Sequence, residues 1–279
     1  MQEVNEILQN VKKVQPIVHC ITNYVTANDC ANVTIAVGGI PIMADEPREV
    51  EEITEHCQAL MINLGTINER TVKAMLLAGK QANKQHISIV IDTVGVGTSV
   101  FRNKTIATLL RELNFAVIKG NISEMKFLGG QITSVNGVGA NSDDTVTEEN
   151  LADNVKFAMN LSAMAGSVVA ITGNINIIAN RREAYVIRNG SSITMKAAGP
   201  ECMCSAVMAS YVGATPQNAL WAAATAVGVM SVAARQAQQS VEELSLGIGS
   251  YKTLIIDYVG KMDTEVLEAN IVLEHMAVN

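Results

Sequence analysis

The segment Ala198-Gly199-Pro200-Glu201-Cys202 runs a glycine turn straight into an Ala-rich apolar stretch. A helix that starts there presents unpaired backbone N–H groups and the positive end of its dipole, which together stabilise a phosphate or a developing oxyanion. Cys202 falls in the first turn of that helix, where the terminus lowers a thiol pKa and makes the sulfur a candidate base or nucleophile. The plain alternative is a small cysteine packed in a buried helix, and the local sequence alone favours it.

Two acids follow apolar runs. Asp92 comes directly after Ile91, and Glu124 closes Lys119-Gly120-Asn121-Ile122-Ser123-Glu124. Carboxylates in such places can hold Mg²⁺, directly or through water, beside substrate phosphates. Each can equally be a loop cap. Lys119 either pairs with a phosphate or neutralises a neighbouring carboxylate, and Thr172-Gly173 makes a turn whose hydroxyl and N–H can face a phosphate. No G-x-x-x-x-G-K-[ST] occurs and Gly95-Val96-Gly97 lacks the third glycine of the dinucleotide fingerprint, which disfavours P-loop and Rossmann cofactor sites.

Such residues need a scaffold that brings strand ends together. Apolar runs at 17–22, 40–44, 59–64, 87–94, 115–119, 168–172 and 184–188 alternate with amphipathic segments, the clearest at 68–84, 103–113 and 147–166. The runs lack two-residue alternation, as expected for strands covered on both faces, so the pattern predicts an α/β fold with a mostly parallel sheet between helices. After residue 200 the chain turns helical, with segments 202–213, 216–238, 247–258 and 263–275 that are expected to cover one face of the sheet. No linker or repeat divides residues 1–279, which are read as one domain.

Composition narrows the function classes. A 48% hydrophobic fraction with only 17% charged residues points to surface covered by other copies, hence a homo-oligomer. The net charge of −7 argues against nucleic-acid backbone or anionic membrane as partners. Five cysteines without framework spacing, a polar opening segment and no run long enough to span a bilayer give the expectation of a cytoplasmic protein with reduced thiols. The four scattered histidines offer no partner pair for Cys202-Met203-Cys204, so a zinc site is not expected.

The chain resembles the hydroxyethylthiazole kinase family of the ribokinase-like superfamily over nearly its whole length. The resemblance rests on Thr22-Asn23-Tyr24-Val25 with Ala31-Asn32, on Gly38-Gly39-Ile40-Pro41-Ile42-Met43-Ala44 and on Ile62-Asn63-Leu64-Gly65-Thr66. It continues through Asp92-Thr93-Val94-Gly95-Val96-Gly97, Lys119-Gly120-Asn121-Ile122-Ser123-Glu124 and Ile171-Thr172-Gly173. It implies a three-layer ribokinase-like fold and ATP- and Mg²⁺-dependent phosphorylation of 4-methyl-5-(2-hydroxyethyl)thiazole in thiamine biosynthesis. The same resemblance implies a homotrimer with active sites near subunit contacts. Carried over by position, Met43 touches the thiazole with Asn23 nearby, and Gly199 approaches the substrate. Asp92 and Glu124 organise magnesium, Lys119 and Thr172 contact ATP, and Cys202 takes the place where superfamily relatives have an aspartate base.

Four departures from the family pattern stand out. The family's T-G-T-G-C reads Ala198-Gly199-Pro200-Glu201-Cys202 here, so an N–H is missing at Pro200 and a carboxylate is added at Glu201. Losing one oxyanion donor costs about 10²–10³ in rate. The arginine of R-G-N is Lys119, D-P-V-G is Asp92-Thr93-Val94-Gly95, and the acid of T-G-x-x-D is Asn176. The expectation is an active thiazole kinase with an altered phosphate end. The alternatives are a weakened homologue that binds thiazole or nucleotide as a sensor, and a kinase for another small alcohol such as a hydroxymethylpyrimidine.

Overall fold

In the computed structural model, residues 1–132, 134–135, 144–189 and 197–277 are described. One nine-stranded sheet organises them, ordered β2-β1-β3-β4-β5-β6-β7-β8-β9. Its first six strands are β1 (Ile17–Ile21), β2 (Ile40–Met43), β3 (Ala59–Asn63), β4 (Ser88–Asp92), β5 (Val117–Asn121) and β6 (Val168–Thr172), all parallel to one another. The edge is completed by β7 (Asn176–Ala179), β8 (Glu183–Ile187) and β9 (Leu273–Ala277), which pair antiparallel.

The apolar runs are continuous because each strand feeds two cores. In β3, Ala59 and Met61 join one cluster while Leu60 and Ile62 join the other; in β6, Ala170 and Ile171 divide in the same way. The first face is covered by α1 (Gln2–Val14), α2 (Ala27–Ala36), α8 (Pro200–Ala214), α9 (Ala219–Glu243) and α10 (Ile248–Gly260). The second is covered by α3 (Val50–Glu55), α4 (Glu69–Lys84), α5 (Val100–Glu112), α6 (Ile122–Leu128) and α7 (Leu151–Ala165). The expected three-layer α/β architecture is therefore present, with the Ala-rich C-terminal helices on one face. No helix among the described residues is long and apolar enough to cross a membrane.

Three expectations need correction. The apolar spacing that suggests one helix over 263–275 ends at α11 (Thr264–Asn270), and the remainder pairs with β8 as β9. Strand β7 is absent from the sequence-based pattern, because four residues with a polar first position carry too little periodicity. Helices α1, α2, α3 and α6 were likewise not among the predicted segments. Helix α6 is only seven residues long, and it is fixed by a capping box between Asn121 and Glu124 rather than by an apolar stripe.

The strand order has a functional consequence. The chain adds β2 on one side of β1 and β3 on the other, so the connections leaving β1 and β3 diverge at their carboxyl ends. That crevice is the general ligand position of open α/β sheets.

Candidate active site

A cavity of 380 Å³ opens at this crevice, lined by Cys20 of β1 with Thr22 and Tyr24 beyond it, by Met43 ending β2 with Asp45 beyond it, and by Asn63 ending β3 with Thr66 beyond it. Arg70 of α4 forms part of its wall and is paired with Asp45 at 3.0 Å. Of the three residues expected to meet the substrate, Met43 is in this lining and 39% exposed. Asn23 is buried next to it, and Gly199 lies at the start of α8 against Asp29. Gly199 has φ +123°, a conformation that L side chains rarely adopt, and a Cβ there would stand 3.3 Å from the Asp29 carboxylate.

Asn63, at the carboxyl end of β3, ties the site together. Its Nδ2 lies 3.3 Å from Asp92 Oδ2 and 3.2 Å from Cys202 Sγ, while its Oδ1 accepts from Gly65 N at 2.8 Å and from Asn23 Nδ2 at 3.1 Å. Asn23 Nδ2 also approaches Cys202 Sγ at 3.3 Å, and Asn23 Oδ1 accepts from the Thr26 backbone and hydroxyl. A Cβ on Gly65 would stand 2.8 Å from Asn23 Cβ and 2.9 Å from Asn63 Oδ1, so the turn after β3 tolerates only glycine without breaking this network. Arg102 of α5 donates to the carbonyl oxygens of Leu64, Gly65 and Val94, holding the loops after β3 and β4 together.

Asp92 ends β4 and is buried. Its Oδ2 accepts from Ser205 Oγ at 2.7 Å and from Lys119 Nζ at 3.3 Å. Burial raises the Asp92 carboxyl above its ordinary range, against the opposing influence of Lys119 and Ser205. Glu124 is placed as both sequence readings allow: its oxygens accept from Gly95 N at 2.8 Å and Asn121 N at 2.9 Å, closing the N-terminus of α6, yet it also lies within electrostatic reach of Asp92. Burial and the Asp92 charge push its pKa up to about 8, with the two backbone N–H groups opposing.

Lys119 is buried, its side chain 2% exposed, and it serves the start of α8. Its Nζ contacts the Glu201 carboxylate at 2.9 Å and donates to the Glu201 carbonyl oxygen at 2.9 Å. Burial disfavours the charge, but Asp92 and Glu201 outweigh it and hold the ammonium well above its ordinary pKa. Thr172, at the carboxyl end of β6, donates its hydroxyl to Glu201 Oε2 at 2.7 Å. Lys119 and Thr172, both expected to face ATP, are thus turned toward one carboxylate of the chain itself.

The expectation for Cys202 needs correction. It does sit in the first turn of α8, three residues after the N-cap Gly199, but its pKa is raised rather than lowered. Burial is the main cause and the Asp92 charge adds to it; Lys119 and the hydrogen bonds from Thr26 and Asn63 pull the other way and lose. At neutral pH the sulfur is a thiol.

The site's hard oxygen donors suit Mg²⁺. Two carboxylates, Asp92 and Glu124, are buried within electrostatic reach of each other, and burial raises the pKa of both. Carboxylate oxygens can accept more than one partner, and Mg²⁺ keeps several waters while taking few protein ligands. The described residues contain no group of three or more His, Cys, Asp or Glu arranged for a metal, so an all-protein cage is not what they build.

Missing from the sequence-based site were Asn63 as a bridge, Ser205 as the Asp92 partner and Arg102 as a clamp. Asn63 alone gave a signal, being the polar residue that ends an apolar run.

Residues 8–265 match the sequence profile of the hydroxyethylthiazole kinase family. Hydroxyethylthiazole kinase of Clostridium acetobutylicum is 44% identical over 265 residues, covering 95% of this chain and 97% of that protein. The Desulfovibrio desulfuricans enzyme of the same name is 43% identical, covering 92% and 93%. The solved structure of hydroxyethylthiazole kinase from Pyrococcus horikoshii superposes with a TM-score of 0.86 at 28% identity, covering 99% of this chain and all of that one. A pyridoxal kinase from Staphylococcus aureus, at 12% identity and a TM-score of 0.56, shares the fold.

Proposed function

The chain belongs to the hydroxyethylthiazole kinase family, and from that membership we propose that it phosphorylates the hydroxyethyl group of 4-methyl-5-(2-hydroxyethyl)thiazole with ATP, in thiamine salvage. Residues 1–279 act as one kinase domain. The observation that carries the reading is Asn63, which joins the acid ending β4 to the sulfur in the first turn of α8 at the wall of a cavity sized for a small heterocycle.

Met43 and Thr22 receive the ring, and Asn23 and Asn63 fix Cys202 at the hydroxyl. The start of α8 lies beside the phosphoryl group, where its dipole stabilises developing charge. Lys119 and Thr172 take the phosphate chain. Mg²⁺, held by Asp92 and Glu124 through water, supplies charge neutralisation at the phosphate oxygens when bound. Phosphoryl transfer passes through a loose transition state in which the alcohol loses its proton late, so placement matters more than a strong base. A neutral Cys202 is compatible with that demand, accepting hydrogen bonds and shaping the pocket.

A homotrimer in the cytoplasm is part of this reading, with small molecules as its ligands. Support for the oligomer comes from exposed apolar side chains, Tyr24 and Val25 after β1, Ile35 on α2 and Ile40 on the edge strand β2, which a second copy would cover.

Purified protein given the thiazole alcohol, ATP and Mg²⁺ should release ADP and form the thiazole phosphate. One observation favours a second reading, a weakened relative that senses thiazole or nucleotide: Glu201 sits on Lys119 and Thr172, and Pro200 offers no N–H. Saturable thiazole binding without turnover would select it.

A further inference from the structure

The first turn of α8 places an internal anion on the only two groups assigned above to the phosphate chain. Glu201 Oε2 accepts the Thr172 hydroxyl at 2.7 Å and meets Lys119 Nζ at 2.9 Å. A buried ammonium and an oriented hydroxyl converging on one anionic oxygen form the kind of pairing by which proteins hold a phosphate oxygen. We propose that Glu201 is a specificity-determining residue of this seat: its carboxylate holds the seat in cis, and a polyphosphate ligand binds by displacing it. The proposal rests on the reading that Lys119 and Thr172 face the phosphates of ATP.

Two features make displacement feasible. The Glu201 side chain is 51% exposed, whereas those of Lys119 and Asp92 are 2% exposed, so of the two partners it is the glutamate that reaches the surface and can rotate away while the lysine stays enclosed. Lys119 also stays anchored when the carboxylate leaves, because its Nζ still donates to the Glu201 carbonyl oxygen at 2.9 Å and to Asp92 Oδ2 at 3.3 Å. The cation therefore remains in place for an incoming phosphate. Pro200 limits the opposite adjustment, since its ring restrains the turn that carries Glu201 and it supplies no N–H as a substitute donor. Ligands with several phosphate charges can compete with a tethered carboxylate, and singly charged anions compete poorly.

The test is calorimetric titration of inorganic tripolyphosphate, without divalent cation and at fixed ionic strength, into the wild-type protein and the Glu201→Gln and Glu201→Ala variants. Both variants should bind about tenfold more tightly than wild type, the glutamine because it keeps the shape without the charge and the alanine because it empties the seat. In the coupled kinase assay the KM for ATP should fall by a similar factor with the KM for the thiazole alcohol unchanged. Equal or weaker tripolyphosphate binding by both variants overturns the proposal, as does an absence of binding to all three proteins. Tighter binding with no turnover in any of the three supports the displacement and removes the kinase reading. Turnover with unchanged binding does the reverse.

Discussion

Asn63 Nδ2 lies 3.2 Å from Cys202 Sγ while the same nitrogen faces Asp92 Oδ2 at 3.3 Å, so a single amide orients both the thiol and the acid. Replacing it with alanine leaves Gly65 N–H without its acceptor and Asn23 Nδ2 with only the Cys202 sulfur. Asn63→Ala is expected to cost about 1–3 kcal/mol in denaturant unfolding, the penalty for buried polar groups left unpaired. It should also lower kcat with a smaller effect on the KM for ATP. Unchanged stability and turnover would mean the amide is not a bridge.

Cys202→Ser keeps a small acceptor between Asn23 and Asn63. Because the native sulfur is a thiol with a raised pKa, its basicity contributes little near neutrality, and the serine variant should retain thiazole binding and lose turnover only moderately. Iodoacetamide should alkylate Cys202 more slowly than a free thiol at pH 7, as read by peptide mass spectrometry. Rapid alkylation would restore the activated-thiolate reading.

Asp92→Asn removes the charge that Lys119 and Ser205 attend. The expected outcome is a fall in kcat of about 10²-fold or more, comparable with loss of a transition-state electrostatic group. The Mg²⁺ concentration needed for half-maximal turnover should rise as well. A variant with normal magnesium dependence would place the cation elsewhere.

Pro200→Thr combined with Glu201→Gly returns an N–H to the start of α8 and removes a carboxylate from it. Turnover should rise, toward the roughly 10²-fold that one oxyanion donor is worth. A lower rate in the double variant would mean that the native turn has its own working geometry.

His19, on β1, is buried with Nε2 2.9 Å from the Ala44 carbonyl oxygen and Nδ1 2.8 Å from Thr54 Oγ1. Burial lowers its pKa, the Ala44 contact opposing, so the unfolded chain binds the proton more readily than the folded one. Its contribution to stability is therefore full above the unfolded value, about 6.5, and is lost as pH falls through that value toward the lower folded pKa. Urea unfolding followed from pH 8 to pH 5 should show wild-type stability declining on acidification more steeply than that of His19→Gln. Parallel profiles would remove His19 from the account.

The central strands were legible because burial on both faces leaves an uninterrupted apolar run, as in β3 and β6, where every residue is buried. The antiparallel edge was not. Strand β9 has exposed residues and gains its identity only by pairing with β8, a tertiary event to which local spacing is blind. At the site, Asp92 and Thr172 could be picked out as polar residues ending strands, and Lys119 as the charge that closes an apolar run although β5 continues to Asn121. The pKa of Cys202 could not, because the helix terminus favours the thiolate while burial and the nearby Asp92 charge disfavour it more strongly. The direction of Glu201 was equally hidden, since it depends on how the first turn of α8 reaches Lys119 of β5 and Thr172 of β6.

Asn23 and Cys202 are 179 positions apart, and Asp92 and Ser205 are 113 apart. Contacts of such separation form only after the intervening chain has closed a long loop, an entropic toll that places them late in assembly. During refolding from denaturant, helical ellipticity should therefore recover before ligand binding does. During synthesis, the pocket can close only once the turn at Gly199 has emerged from the ribosome, whatever the first five strands have already built.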